Sequence, residues 1–417
     1  MIFKSIAPPV EIPTVDIPTY FLSAAKANGA KPDTKAFIDI DEAASTPALI
    51  VYSSGTTGQP KGVVLSHLNM LSGSTSLTSL AKFLALKSGI KPDSAVQRYL
   101  VISPYAHIFG LAVFLHSHIA NAKTQYILPQ YNIDAFLQAI AHFKIQAATV
   151  VPSILTQIVK HPNLSKYDLS SLQYMTCGAA SVTKDTLEQV TKLLPVSPSQ
   201  GYGLTEVCGG FTFMSSYLPI AGSVGFHAPD CEVKFVDENG NELGADQEGE
   251  LCVRGDRVMM GYLNRPEETA RVIDKYGFFH TGDIGYINET GHIFITDRIK
   301  ELIKYKGQQV SASELEGVLL MHSAVKDAAV IGIDDPQRGT EVPMAYVVLD
   351  DMANRTDRGR AAMLCMEVQA FVAARVAGHK QLRGGVTSIN AIPRNASGKI
   401  LRRELKTRYL ARTSAKL

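Results

Sequence analysis

The stretch 53-SSGTTGQPKGVVLSH-67 packs serines, threonines, glycines and one lysine behind the apolar run 48-ALIVY-52, and three readings compete for it. A Walker A loop has the form G-x-x-x-x-G-K-[ST]: glycine precedes the lysine, a hydroxyl follows it, and a helix begins there. Here Pro60 precedes Lys61, Gly62 follows it, and the chain runs into 62-GVVLS-66, which reads as strand. A flexible Ser/Gly linker suits the composition but not the buried-type strands on both sides. The third reading is a loop that wraps a polyphosphate. Hydroxyl donors, unhindered backbone N–H groups and one ammonium are the groups that such a ligand needs.

Outward from this loop the chain alternates. Strand-like runs 48-ALIVYS-53, 62-GVVLS-66, 99-YLVIS-103, 125-QYILP-129 and 147-AATVVP-152 are separated by helical stretches 69–86 and 132–144. This predicts an α/β fold with mostly parallel strands. Residues 1–47, with Pro8, Pro9, Pro13 and Pro18, read as an extended lead-in. A large domain then occupies 48–297. From about 222 its texture turns β-rich, with glycine punctuation and an Asn-Gly turn in 231-CEVKFVDENGNELG-244, so 222–297 is expected to form a small barrel-like part. Residues 298–417 read as a smaller α+β domain. Its elements are helix 312–322, strands 328–334 and 343–349, helix 361–376, strand 386–392 and a basic helix 399–411, with 350-DDMANRTDRGR-360 as a surface loop.

Composition sets the outer limits. A chain of 417 residues, 46% of them apolar, is long enough for more than one core. Lys+Arg 41 against Asp+Glu 39 leaves a net charge of +2, which argues against a nucleic-acid surface. Cys177, Cys208, Cys231, Cys252 and Cys365 form no CxxC pair, so neither a zinc site nor a disulfide framework is indicated and a reducing compartment fits. The N-terminus shows no signal-peptide core, and the most apolar window, 108–128, is broken by His116, His118, Asn121 and Lys123, so no membrane span is expected. The last residues Ala415-Lys416-Leu417 fit the small-basic-leucine address read by the peroxisomal import receptor, which makes the peroxisome the expected location, and the cytoplasm if that address is not read.

The stretch 53-SSGTTGQPKGV-63 resembles the phosphate-binding signature of the adenylate-forming superfamily, which includes acyl-CoA synthetases, 4-coumarate:CoA ligases, luciferases and the adenylation domains of peptide synthetases. Further blocks follow in that superfamily's order: 103-SPYAHIFGL-111, 200-QGYGLTE-206, 249-GELCVRG-255 with 279-FHTGDIG-285, 297-DRIKELIKYKGQQVSASELE-316 and 393-PRNASGKILRREL-405. The resemblance implies a mobile C-terminal cap hinged at 298–300. It implies two steps: a small-molecule carboxylic acid reacts with ATP to give an acyl-adenylate, then coenzyme A takes the acyl group and AMP leaves.

It also implies residue roles. Ser53, Ser54, Gly55, Thr56, Thr57 and Lys61 would hold the β- and γ-phosphates. Thr205 and Glu206 would meet the α-phosphate and magnesium, although 203-GLTE-206 alone also reads as a helix cap. Gln200, Gly201 and Tyr202 resemble one adenine wall and Gly178 the other. Asp283 matches the carboxylate that takes both ribose hydroxyls and Arg298 its partner. His107 matches a histidine lining the acyl tunnel, though a lone histidine after Pro104 is also an ordinary core residue. Lys399 matches the lysine of the adenylation step, though by itself it also reads as the start of a basic helix. Lys300 marks the hinge, and Lys304, Lys306, Gly307 and Gln309 form a loop turned toward the site after the cap rotates, with Lys306 and Gly307 nearest coenzyme A.

The sequence departs from the resemblance in two places. Only 52 residues precede Ser53, where the family carries a longer segment, so an N-terminally shortened first domain is expected. In 128-LPQYN-132, Gln130 and Tyr131 stand where related ligases offer a basic residue toward coenzyme A. The acyl pocket is expected along 107–111, 178–181 and 203–211, with Gly209 and Gly210 beside Phe211 admitting an aromatic or medium-length to long acid. Three readings stay open: an acid:CoA ligase, an adenylate former with another acceptor, and a shortened, catalytically weak nucleotide-binding protein.

Overall fold

The structure, a computed structural model, describes residues 3–5, 39–53, 60–87, 96–178, 182, 184–214, 220, 222–350, 358–395 and 398–414. Residues Ser54 to Thr57, the 179–181 part of the acyl-pocket expectation, most of the 350–360 loop and Ala415-Lys416-Leu417 lie outside them.

A six-stranded parallel sheet carries the first part of the chain. Its strands run in the order Phe3–Ser5, Thr124–Ile127, Arg98–Val101, Ala147–Val150, Tyr174–Cys177 and Ser199–Gln200, and every pairing is parallel. Strands of this kind are buried on both faces, so they read as unbroken apolar runs. Leu100, Ala148, Val150, Met175 and Cys177 form one core with the apolar stripes of helices Ile133–Phe143 and Pro152–Val159. Helix Ile133–Phe143 starts where the Asn132 side chain accepts from the N–H groups of Asp134 and Ala135. It stops where Lys144 turns left-handed at φ 50°.

Two sequence expectations are corrected. The strands expected at 48–53 and 62–66 do not join the parallel sheet; Pro47–Ser53 and Lys61–Ser66 pair with each other antiparallel, with Gly261–Tyr262 on the other side of Lys61–Ser66. The connection 54–60 is long enough for a hairpin and too short for a parallel crossover, which takes a dozen residues or more. The lead-in is not wholly extended either: Asp39 caps a short helix, Ile40–Ser45, and Phe3–Ser5 fills the sheet edge beside Thr124–Ile127.

A second six-stranded sheet follows, antiparallel, in the order Thr212–Phe213, Ser223–His227, Ile293–Arg298, Phe279–Ile287, Gly249–Gly255 and Cys231–Val236. It takes in Thr212–Phe213, ahead of residue 222. Its inward residues Phe235, Leu251, Val253, Phe279 and Ile293 share a core with Val63 and Leu65, which fixes the strands of the hairpin to this sheet.

The C-terminal part is built on Val325–Asp335, Thr340–Leu349 and Val386–Ser388. Period-two alternation splits the long strand between two cores. Ala328 and Val330 pack with helices Ala312–Leu320 and Arg358–Ala373, whereas Ala329, Ile331 and Ile333 pack with Leu405 of the last helix, Arg402–Ser414. That helix begins at Arg402, not at 399, so Lys399 stands on the loop before it.

The short antiparallel pair Gly203–Leu204 and Gly209–Gly210 brings two backbones so close that a Cβ at Gly203 would lie 2.2 Å from the Gly209 carbonyl oxygen. Backbone on both sides cannot yield cheaply, so Gly203→Ala is expected to cost about 2 kcal/mol or more and to lower Tm by about 4 °C or more, read by calorimetry. An unchanged Tm contradicts the packing described for this turn.

Candidate active site

Open α/β sheets gather ligands beyond the carboxyl ends of their strands, and here those ends converge on one cavity of about 1820 Å³. Ser103, Pro104 and His107 follow Arg98–Val101, Val151 follows Ala147–Val150, Gly178 follows Tyr174–Cys177, and Gly201 and Tyr202 follow Ser199–Gln200; all line it. Single-ligand pockets usually measure about 300–1,000 Å³, so this one has room for a nucleotide and an acid together.

Asp283 is the anchor. It is almost wholly buried on strand Phe279–Ile287, directly opposite Arg298 in the register with Ile293–Arg298. Arg298 Nε lies 2.7 Å from Asp283 Oδ1, and Arg298 donates from Nη2 to Oδ2 at 3.4 Å. The shorter contact is an ion pair off hydrogen-bond alignment, so Oδ1 has no hydrogen-bond partner among the described residues. Tyr202 donates its hydroxyl to Oδ2. Burial pushes the Asp283 carboxyl up from its ordinary value, against the opposing pull of Arg298 and then of the Tyr202 hydrogen bond. The carboxylate lies behind the cavity wall: Gly282 and Arg298 line the cavity, whereas Asp283 does not and its Oδ1 is buried.

A brace sets the Asp283 backbone. Glu250 Oε1 accepts from the Gly282 N–H at 2.9 Å, and its Oε2 lies 2.8 Å from His280 Nδ1. Thr281 Oγ1 donates to the Leu251 carbonyl and accepts from the Asp283 N–H. Glu250, Cys252 and His280 place their ligand atoms within 4.8 Å of one another. Both carboxylate oxygens are already committed to this brace, and burial raises the Cys252 thiol to about 12, so the trio reads as support for the 281–283 turn.

At the hairpin end, Ser53 and Lys61 face the cavity. Ser53 Oγ is buried without a hydrogen-bond partner among the described residues. Lys61 Nζ lies 2.5 Å from Glu268 Oε2 and 4.7 Å from the Tyr262 ring centre, and the Tyr262 hydroxyl donates to Glu206 Oε1 at 3.0 Å. Lys61, Glu206 and Glu268 thus sit in one linked group. Thr205 is buried at the start of the turn Thr205–Val207 and lines the cavity beside Glu206.

Gln200 lies behind the wall, where its Oε1 accepts from the Val182 N–H at 3.2 Å. A Cβ at Gly201 would press on the Thr212 carbonyl at 3.2 Å, whereas one at Gly178 would meet nothing within 4 Å and would project into open space. The bare glycine at 178 is therefore not demanded by neighbouring protein atoms, and it leaves a flat surface for a ring. His107 accepts from the Phe109 N–H at Nδ1, and burial lowers its pKa, which keeps the ring neutral.

The C-terminal part closes the cavity with Gly398 and Lys399. Gly398, at φ 84°, would carry a Cβ only 3.5 Å from Val151 of the parallel sheet. Asn395 Oδ1 accepts from the Lys399 N–H, and Lys399 Nζ lies 3.6 Å from Glu301 Oε1. Burial first, and then the Arg298 charge, lower the Lys399 pKa from its ordinary value. Lys300 also lines the cavity. Lys304, Lys306, Gly307 and Gln309 do not. Lys304 and Gln309 border a separate cavity, and Lys306 and Gly307 form the left-handed tip of the hairpin Ile303–Tyr305 and Gln308–Val310.

The expected acyl pocket is corrected at Gly110, Leu111, Val207, Cys208 and Phe211, none of which lines the cavity; Phe211 is buried behind Tyr202, edge-on at 5.4 Å between ring centres. Sequence reasoning also missed Tyr262, Glu268 and the Glu250–His280 brace. Glu250 and His280 lay inside recognised blocks with no role attached, and nothing local marks Tyr262 and Glu268 as neighbours of Lys61.

Known proteins share this arrangement. A family profile described as AMP-binding enzyme matches residues 7–263, and one described as AMP-binding enzyme C-terminal domain matches 314–399. The chain is 39% identical over 402 residues to 4-coumarate--CoA ligase-like 9 of Oryza sativa subsp. japonica, covering 94% of this chain and 68% of that protein. It is 38% identical over 363 residues to luciferin 4-monooxygenase of Photinus pyralis, covering 87% and 63%. Among solved structures, ATP-bound MatB from Rhodopseudomonas palustris superposes with a TM-score of 0.76 at 28% identity, covering 93% of this chain and 72% of that one. The fold, the order of the blocks and the cavity that they line make this chain a member of the AMP-binding, adenylate-forming enzyme family.

Proposed function

We propose that this chain is an ATP-dependent carboxylic acid:CoA ligase acting on an aromatic or medium-length to long acid. One observation carries the reading: Lys399 stands on the wall of the same cavity that holds Ser53, Lys61, Thr205, Glu206 and the Arg298 side of the Asp283 pair. An acid and a nucleotide placed there meet cations at both ends of the bond being made.

In the first step a carboxylate oxygen attacks the α-phosphorus, the bond to the β-phosphoryl oxygen breaks, and pyrophosphate leaves. Asp283, just behind the Gly282 and Arg298 wall, takes the ribose hydroxyls once the bound nucleotide opens that wall, Tyr202 and Gly178 flank the adenine, and Lys61 and Ser53 hold the outer phosphates. Lys399 bridges acid and α-phosphate, where negative charge builds up. Magnesium, when bound, neutralises phosphate charge. Glu206, with the hydroxyl of Thr205 beside it, offers the hard oxygen donors that this ion takes together with phosphate oxygens. In the second step the coenzyme A thiolate attacks the acyl carbon, the bond to the phosphate oxygen breaks, and AMP leaves.

Lys304, Lys306 and Gly307 lie on another face of the C-terminal part, so rotation of that part is proposed to exchange Lys399 for the hairpin between the steps. Peroxisomal import through Ala415-Lys416-Leu417 belongs to the same proposal and rests on the sequence alone.

Purified protein given ATP, magnesium, coenzyme A and a panel of cinnamic, benzoic and straight-chain acids is expected to form AMP and acyl-CoA in equal amounts. Pyrophosphate exchange without thioester for every acid contradicts the coenzyme A step. Lys399→Ala should slow adenylate formation by about 10²–10³-fold, the usual cost of one preorganised charge, while thioester formation from supplied acyl-adenylate is spared. Equal loss in both half-reactions rules out the two-face scheme.

The pH profile follows from the lowered Lys399 pKa. The cation is the active form, so kcat/KM for adenylation falls as pH rises through a value below the ordinary lysine range. Arginine keeps its charge to higher pH. Lys399→Arg should therefore shift the alkaline limb upward, and a limb that stays in place assigns that titration to another group.

A further inference from the structure

The short helix Pro266–Ala270 opens with two acidic residues, Glu267 and Glu268, and a helix start accepts both without further cause. In space they part. The Glu267 side chain is 88% exposed, whereas Glu268 turns inward and lines the cavity. The helix is pinned in place: the Tyr262 N–H donates to Thr269 Oγ1 at 2.9 Å, and Gly261–Tyr262 is itself paired with Lys61–Ser66. Glu268 is thereby held beside the hairpin strand that starts at Lys61.

The contact made there is an ion pair. Lys61 Nζ lies 2.5 Å from Glu268 Oε2, while Arg265 Nη1 donates to Oε1 at 2.7 Å. Lys61 first, and then Arg265, hold the Glu268 carboxyl below its ordinary value, so it is ionised at pH 7. Lys61 is the cation to which the ligase reading gives the outer phosphates, and a carboxylate already stands on it. Two anions at one ammonium repel each other, so phosphate oxygens arriving at Lys61 displace Glu268 or bind against its charge. Displacement leaves neither partner bare: Glu268 keeps Arg265, and Lys61 keeps the Tyr262 ring at 4.7 Å.

We propose that Glu268 is an internal competitor for the outer phosphates: it pairs with Lys61 when no phosphate is bound, lowers the affinity for ATP and pyrophosphate, and by returning to Lys61 after the adenylate forms helps pyrophosphate to leave. AMP, which has no outer phosphates, escapes this competition. The inference rests on the reading of Lys61 as a phosphate contact in the adenylation step, and not on the coenzyme A step.

Calorimetric titration of magnesium ATP, magnesium pyrophosphate and AMP into the full chain tests it. Glu268→Gln and Glu268→Ala are expected to bind ATP and pyrophosphate about 3–10-fold more tightly than wild type, with AMP unchanged to within about 1.5-fold, and the gain shrinks at high salt because the pair is partly exposed. Pyrophosphate inhibition of adenylate formation should strengthen by the same factor. In a Lys61→Met background most of the gain should disappear, since only the through-space repulsion of Glu268 is left.

Unchanged ATP and pyrophosphate affinity in both variants overturns the inference, and so does weaker ATP binding, which makes Glu268 a contributor to the nucleotide site. A gain that AMP shares, or one of the same size in Lys61→Met, also overturns it, because the carboxylate then acts by some route other than Lys61. Lys61→Met alone tells the two failures apart: ATP affinity equal to wild type rejects the phosphate reading of Lys61, whereas a loss of about 3-fold or more keeps that reading whatever the Glu268 variants do.

Discussion

One buried carboxylate ties the two large sheets of this molecule together. Asp283 comes from the antiparallel sheet, Tyr202 from the end of the last parallel strand, and Arg298 from the last strand residue before the C-terminal part. An unpaired carboxylate at that depth would cost several kcal/mol, and leaving the Arg298 guanidinium without it would cost as much again. The pair holds Asp283 in place, and the Tyr202 hydroxyl that it accepts from spans the two sheets. The cavity lies where they meet, so its shape is set by the same contact.

The C-terminal part contributes differently. Lys399 is positioned by a loop whose Asn395 side chain and left-handed Gly398 hold it against Val151, and Arg402 ties the following helix to Glu301 and Glu316. The contacts that cross to the large domain include Lys160 Nζ donating to the Val325 carbonyl at 2.6 Å and Gln309 Nε2 donating to Glu238 Oε1 at 3.4 Å, polar links unlike the apolar cores on either side. Interfaces of that kind let domains move relative to each other. The proposed exchange of Lys399 for the hairpin at 303–310 requires such a boundary.

Much of this was legible in the sequence because the informative residues act locally. The strand read at 328–334 lies inside Val325–Asp335, and the helix read at 132–144 is bounded by Asn132 and Lys144. The pairing of Pro47–Ser53 with Lys61–Ser66 was misread as part of a parallel sheet, although the length of the intervening loop already excluded a crossover. The neighbours of Lys61 were not legible at all. Tyr262 and Glu268 reach it only because Gly261–Tyr262 adds to the hairpin, a contact between segments about 200 residues apart with no local signature.

The central claim is that the Asp283 cluster makes the nucleotide site. Calorimetric titration of AMP into wild type and Asp283→Asn tests it most directly. Asparagine keeps the shape and an acceptor oxygen but loses the charge. The account predicts that the variant melts lower because Arg298 loses its counter-charge, remains folded at the titration temperature and binds AMP about 100-fold more weakly, the loss of charge-assisted hydrogen bonds to the ribose. A folded variant that binds AMP as tightly as wild type would contradict it.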